Sequence, residues 1–253
     1  MTAPFFLVAP GVLVDTAVGG VVVVDGAEGR HAATVKRIGV GEPVLVGDGL
    51  GRVVEGAVAA VVGRDRIDVS VTAYTLVAAP TPRVVVVQAL AKGERGDLSV
   101  ELLTEVGVDG IVPWSAQRSV AQWRGDKAER GVEKWRATAR ESAKQSRRPW
   151  VPDVAPLAST LDVEGLVADV VAAGGTAIVL HEAASLRMAS LRVPSSGEVV
   201  LVVGPEGGIT DEERAAFERA GALSARLGPS VLRTSTAGAV AASVVLASCG
   251  RWD

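Results

Sequence analysis

The strongest constraint on this chain is the stretch from Val199 to Glu213, VVLVVGPEGGITDEE. Val199–Val203 is an unbroken apolar run rich in β-branched residues, the signature of a strand buried on both faces of a parallel sheet. It breaks at Gly204-Pro205-Glu206-Gly207-Gly208, where glycines allow close backbone approach. Thr210 then stands at a helix N-cap with Glu213 three residues on, a capping box. Strand, glycine turn and helix in succession is where open α/β sheets hold ligands.

Charge narrows the ligand. A phosphate cradle wants a lysine after the glycines and no acid near the helix start. Here the turn holds Glu206 and the helix opens with Asp211, Glu212 and Glu213. Neither G-x-G-x-x-G nor G-x-x-x-x-G-K-[ST] occurs, which weakens a Rossmann-like dinucleotide enzyme. The pattern favours a neutral or cationic adenosyl group over a polyphosphate, and a turn with no ligand stays open for GPEGG alone.

Downstream, a short strand at Ser224–Leu227 meets Gly228-Pro229. Ser230-Val231-Leu232-Arg233 follows, then a helix opening at Thr234-Ser235-Thr236 and continuing over Ala237–Ser248. Its Ala, Val, Gly and Ser composition suits either a dimer seam or burial within one chain.

GPEGG-I-T-x-x-E followed by L-G-x-x-V-L-R-T-x-T-A resembles the RsmE-type 16S ribosomal RNA (uracil-N3) methyltransferases of the SPOUT superfamily. Further motifs are H-x-x-x-V-x-R at His31–Arg37, K-G-E-R at Lys92–Arg95, E-x-G-V at Glu105–Val108 and K-Q-S-x-R at Lys144–Arg148. The resemblance implies an α/β C-terminal domain with a parallel sheet and a trefoil knot, a PUA-like N-terminal β-barrel and a homodimer. It also implies S-adenosyl-L-methionine as methyl donor and 16S ribosomal RNA, or the small ribosomal subunit, as partner. Three loops would wrap the donor: Leu180, His181 and Glu182; Val203, Gly204, Pro205, Gly207 and Gly208; and Leu227, Gly228, Val231, Leu232, Thr234 and Thr236. Many members carry Glu where this chain has Ser235, so position 235 receives no catalytic role. That departure is also the one feature favouring a non-catalytic RNA-binding assembly factor with a degenerate pocket.

At 253 residues the chain can bury one large core or two modest ones. Hydrophobic residues at 48% against 22% charged mark a globular protein, and aromatics at 4% leave the core to small aliphatics. Cys249 is the single cysteine and His31 and His181 the only histidines. An internal disulfide is thereby excluded, and a histidine-based zinc site is not expected. The N-terminus lacks a cationic start and no apolar run reaches membrane length, so a cytoplasmic protein is expected. A net charge of −3 averages over the surface and does not exclude RNA, because recognition depends on where cations cluster.

In chain order, residues 1–75 read as a small β-rich domain with strands at Val21–Val24, Pro43–Val46, Arg52–Val62 and Ile67–Thr72. A helix over His31–Ile38, closed by Gly39, would carry a basic patch of Arg30, His31, Lys36 and Arg37, which reads as an RNA contact or as a solvated charged face. Residues 76–83 form a linker and 84–253 the second domain. It opens with a βαβ unit: strand Val84–Ala89, a loop bearing Lys92 and Arg95, a helix from Asp97 to Gly107 and strand Gly110–Pro113. A long helix over Asp126–Arg148 buries Ala128, Val132, Trp135, Ala139 and Ala143 on one stripe and is stopped by Pro149. Its end, with Lys144, Gln145, Arg147 and Arg148, reads as a phosphate contact or as cations answering the helix dipole. A helix at Asp162–Ala173 and a strand at Thr176–Leu180 complete the pattern.

For chemistry, uracil N3–H is a weak acid, so transfer from an activated sulfonium needs proton loss and stabilisation of charge on O2 and O4. Arg233 is the candidate for that stabilisation. Glu206 serves either as general base or as loop anchor.

Overall fold

The protein is described here from a computed structural model over residues 3–252. It divides into two compact units, one running to Ala79 and including Ala143–Val151, the other formed by Pro80–Ser142 and the residues from Pro152 onward.

The N-terminal unit is a five-stranded sheet in the order β1-β3-β4-β5-β2. Its strands are β1 (Phe5–Leu7), β2 (Val21–Val24), β3 (Pro43–Gly47), β4 (Arg52–Val62) and β5 (Arg66–Leu76). β1 runs parallel to β3, while β3–β4, β4–β5 and β5–β2 are antiparallel. Alternating residues Val22, Val24, Val44, Val46, Val54, Ile67, Val69 and Val71 turn inward with Phe6 and Leu13, the period-two pattern of a half-buried strand. β1 was not anticipated, because three residues are too few to show a period. The helix expected from His31 starts earlier, as α1 (Gly26–Arg30), and widens into a π-helical turn over His31–Lys36. It ends at Arg37 in the left-handed region (φ 54°), ahead of Gly39, with Ile38 N–H donating back to the Ala32 carbonyl at 3.1 Å.

The C-terminal unit holds a seven-stranded sheet, ordered β10-β12-β9-β11-β6-β7-β8. The strands are β6 (Arg83–Ala89), β7 (Gly110–Trp114), β8 (Asp153–Val154), β9 (Thr176–Leu180), β10 (Leu186–Arg187), β11 (Glu198–Val203) and β12 (Leu223–Arg226). Every pairing is parallel. Alternation along the central strands divides the core. Val84, Val86, Val199, Leu201 and Val203 face α2 (Arg95–Val106) and α6 (Thr234–Ser248). Val85, Val87, Val200 and Val202 face α4 (Thr160–Ala172) and α5 (Asp211–Arg219). Both faces are covered, so the valine run has no polar alternation to show. The small residues of α6 settle onto their own sheet: a Cβ at Gly238 would lie 3.2 Å from Leu103 and 3.3 Å from Val203.

The long helix α3 (Asp126–Gln145) stops short of Arg148. Arg147 takes the left-handed conformation (φ 56°) and Arg148 N–H donates to the Ala143 carbonyl at 2.8 Å. Pro149 disfavours helix at the residue before it, so the closing turn must come earlier.

One buried carboxylate ties the glycine turn to its surroundings. Glu213, 5% exposed, accepts from the Thr210 N–H (3.1 Å) and hydroxyl (3.2 Å) on one oxygen. The other oxygen accepts from Gln117 N–H (2.8 Å) and the Thr160 hydroxyl (3.0 Å). Thr160 also accepts from the Trp114 indole N–H at 3.3 Å. The capping box thus reaches beyond its own helix to β7 and α4.

Two outcomes test this packing. Glu213→Ala strips acceptors from several buried donors and should destabilise the protein by about 3 kcal/mol, with Glu213→Gln intermediate. Urea midpoints measure both, and an alanine variant as stable as the parent would remove the network from the account. Gly238→Val overfills the α6 contact and should cost about 2 kcal/mol in the same assay.

Candidate donor cleft and cationic surfaces

The carboxyl ends of β9, β11 and β12 open into a cleft of about 620 Å³, within the usual range for small-molecule sites. After β9 come Leu180, His181 and Glu182; the His181 N–H donates to the Ala225 carbonyl at 3.0 Å, and its ring Nδ1 accepts from Ala183 N–H at 3.3 Å. The imidazole is thereby engaged with its own turn.

After β11 come Val203, Gly204, Pro205, Glu206, Gly207 and Gly208. Gly204 is required by contact and Gly207 is closely packed. A Cβ on Gly204 would come within 2.6 Å of Ile209, and one on Gly207 within 3.0 Å of Arg118. Thr234 locks the turn from the other side. Its hydroxyl donates to the Gly204 carbonyl at 2.5 Å and accepts from Gln88 Nε2 at 3.2 Å. Thr234 and Gln88 are both buried, so that threonine's side chain holds the loop and its backbone faces the cleft.

Leu227, Gly228, Val231, Leu232 and Arg233 form the third wall. Val231 is 78% exposed, an apolar side chain left for something to cover. Thr236 is not among the lining residues; its hydroxyl donates to the Arg233 carbonyl at 3.1 Å. Ser235 is buried. The Arg233 side chain is exposed, lines the cleft, and has no hydrogen-bond or ion-pair partner among the described residues. Glu206 is differently placed. It accepts from Lys92 N–H at 3.2 Å and lies 3.7 Å from the Arg95 guanidinium, which supports the anchoring role left open by the sequence.

Cations line the cleft in a way the sequence reading missed. Arg118 and Arg226 join Arg95 and Arg233, facing Glu182, Glu206 and Asp211. Arg118 Nη1 donates to the Gly207 carbonyl at 3.3 Å. Its signal was position: it follows the carboxyl end of a parallel strand, where ligands gather.

The residues Arg30, His31, Lys36 and Arg37 and the stretch from Lys144 to Arg148 belong to the N-terminal unit. Arg30, Lys36 and Arg37 are exposed around α1 and its π-helical turn, while His31 is half-buried with its ring edge-on to Phe6 at 6.2 Å. Gln145 and Arg147 are exposed and Arg148 is half-buried. Lys144 departs from the expected surface role: it is buried, with Nζ 2.9 Å from Glu28, whose other oxygen accepts from Leu7 N–H at 3.3 Å. Its position on the inner edge of the helix stripe makes it a tie between α3 and α1.

Among the described residues no helix is long and apolar enough to cross a membrane.

Comparison with known proteins agrees with this architecture. The RNA methyltransferase domain family matches residues 78–246, and the RNA methyltransferase PUA domain family matches residues 24–72. The chain is 47% identical over 235 residues to ribosomal RNA small subunit methyltransferase E of Mycobacterium tuberculosis, covering 93% of this chain and 89% of that protein. It is 28% identical to the Bacillus subtilis protein of the same name, covering 88% of each. The crystal structure of the Neisseria gonorrhoeae protein of that name, bound to S-adenosyl methionine, superposes with a TM-score of 0.84 at 23% identity, covering 97% of this chain and 98% of that one. A Legionella pneumophila structure in complex with the bound cofactor SAM gives 0.83 at 25% identity, covering 98% of each chain. A parallel-sheet domain with a glycine-turn cleft, joined to a PUA-like unit and matched along nearly its whole length, places this chain in the family of ribosomal RNA small subunit methyltransferase E.

Proposed function

We propose that the chain transfers a methyl group from S-adenosyl-L-methionine to N3 of a uridine in small-subunit ribosomal RNA. The observation that carries this reading is the cleft itself. It lies at the carboxyl ends of parallel strands, its glycine turn is locked by Thr234 and Glu206, and two arginines on its wall, Arg226 and Arg233, have no side-chain partner among the described residues. The donor's ammonium and sulfonium are cations, and the carboxylates of Glu182 and Asp211 on the cleft wall are groups of the sign that suits them. Backbone groups of the 180–182, 203–208 and 227–232 loops would hold the adenosyl portion. When bound, the donor supplies an already activated methyl, leaving the protein to align the base and manage one proton.

Arg233 is the group for that second task. Its free guanidinium in the cleft would favour the uridinate and hold the charge spread onto O2 and O4. Glu206, committed to Lys92 N–H and Arg95, fixes the loop beside it. Exposed Arg30, Lys36, Arg37 and Arg147 of the N-terminal unit are phosphate contacts in this reading. A trefoil knot and a homodimer belong to it as well, with exposed Val231 and Val240 as apolar surface for the second copy. Light scattering should give twice the monomer mass, and a stable monomer would count against the dimer.

The mechanism is tested by single-turnover methylation over a pH series beside a donor titration. The parent should bind S-adenosylhomocysteine and methylate uridine at N3, identified by nucleoside analysis of the rRNA. Arg233→Ala should slow methylation by about a hundredfold and leave donor affinity within a few-fold. Raising the pH should partly restore the variant, because hydroxide then supplies the uridinate that the arginine favours. Loss of donor binding together with rate, with no rescue by pH, would assign Arg233 to the loop instead.

A further inference from the structure

A second cavity of about 400 Å³ opens in the C-terminal unit, separate in its lining from the donor cleft. Two tryptophans shape it. Trp123, in the segment between β7 and α3, lays its indole over Gly131, where any Cβ would come within 2.7 Å of the ring. Trp135 of α3 meets it edge-on, with ring centroids 5.2 Å apart and planes at 75°. Trp123 stays half-buried, so part of its ring surface is open to the cavity. Trp135 is 2% exposed, yet its indole N–H has no hydrogen-bond partner among the described residues. On a cavity wall an indole N–H of this kind marks where an acceptor can be received.

The charge around these rings has one dominant sign. Lys127, Arg130 and Lys134 line the cavity against a single acid, Asp97, which is held by Lys134 at 2.6 Å. The Lys127 ammonium has no partner among the described residues, and Arg130 uses only its Nε, on the Asp126 carbonyl at 3.3 Å. The cavity also adjoins the chemistry through the chain: Gly93 and Gly96 line it, while Lys92 N–H and Arg95 between and beside them hold Glu206 of the donor cleft.

An aromatic face, an unpartnered donor on the cavity wall and free cations together match one ligand class, an unpaired nucleotide. A paired base would offer no open face to Trp123, and a peptide would not call for the cations. We propose that this cavity is a subsite for one unpaired nucleotide of the substrate RNA flanking the methylated base. Its base stacks on Trp123 and accepts from the Trp135 N–H, and its phosphates face Lys127 and Arg130. The subsite rests on the reading of the neighbouring cleft as an RNA-modifying site.

The test uses the full-length protein with fluorescein-labelled hexa-adenylate and hexa-uridylate, read by anisotropy, and S-adenosylhomocysteine titrated separately. The parent should bind a hexamer, Trp123→Ala should weaken it by about tenfold or more, and Trp123→Phe should stay within about threefold. Lys127→Gln with Arg130→Gln should flatten the salt dependence by about 1.4 units of slope, the single-strand scale for two phosphate contacts. S-adenosylhomocysteine affinity should be unchanged in all of them. If Trp123→Ala also loses S-adenosylhomocysteine binding it has disturbed the fold, and the exposed Lys127 and Arg130 pair then decides alone. The subsite is overturned if the parent binds neither hexamer, if Trp123→Phe falls as far as Trp123→Ala, or if neither set of substitutions changes binding. A parent that binds hexamers but not S-adenosylhomocysteine would overturn the donor cleft and leave the subsite standing.

Discussion

The carboxylate of Glu213 is the interaction on which the site depends. Four donors converge on it from Thr210, Gln117 and Thr160. A buried charge is tolerable only when its lone pairs are occupied in this way. The helix that carries it begins where the glycine turn ends, so fixing Glu213 fixes the turn. Gln117, one residue before Arg118, is held by the same oxygen that receives Thr160. The placement of Arg118 on Gly207 therefore follows from a bond buried beneath the cleft.

Above that anchor the cleft is braced by polar ties of different strength. The Gln88–Thr234–Gly204 chain is buried and joins β6, α6 and the turn. The contact of Glu206 with Lys92 N–H and Arg95 is exposed and screened by water. The inner face of the loop is thus fixed by buried hydrogen bonds, and its outer face by solvent-exposed contacts. Unpartnered Arg233 lies on the cleft wall with apolar Val231 near it in the same loop, and both side chains are exposed.

The N-terminal sheet carries its cations on a helical segment whose left-handed end at Arg37 is unusual for a side chain of that size. The last turn of α3 belongs to that unit, held there by the Lys144–Glu28 ion pair. A lysine beside two arginines in sequence is therefore structural, while exposed Arg147 remains available to solvent. Charge runs do not distinguish these cases, because burial is decided by the helix face and by the partner across it.

Much of this was written in local sequence. The run Val199–Val203, the Thr210–Glu213 box and the alternation of Val84–Val87 dictate a buried parallel strand, a capped helix and a two-faced core, since each depends on neighbours a few residues apart. The motifs from Leu180 to Thr234 likewise named most of the cleft wall before its geometry was seen. Only tertiary structure decided the rest. It brought Arg118 and Arg226 to the cleft, buried Lys144, bonded the Thr236 hydroxyl to the Arg233 carbonyl and closed α3 at Arg147 ahead of Pro149. It also set Trp123 against Trp135 across Gly131. Each of these depends on which distant segment arrives opposite a residue, and a periodic pattern carries the face a residue occupies but not the identity of what meets it.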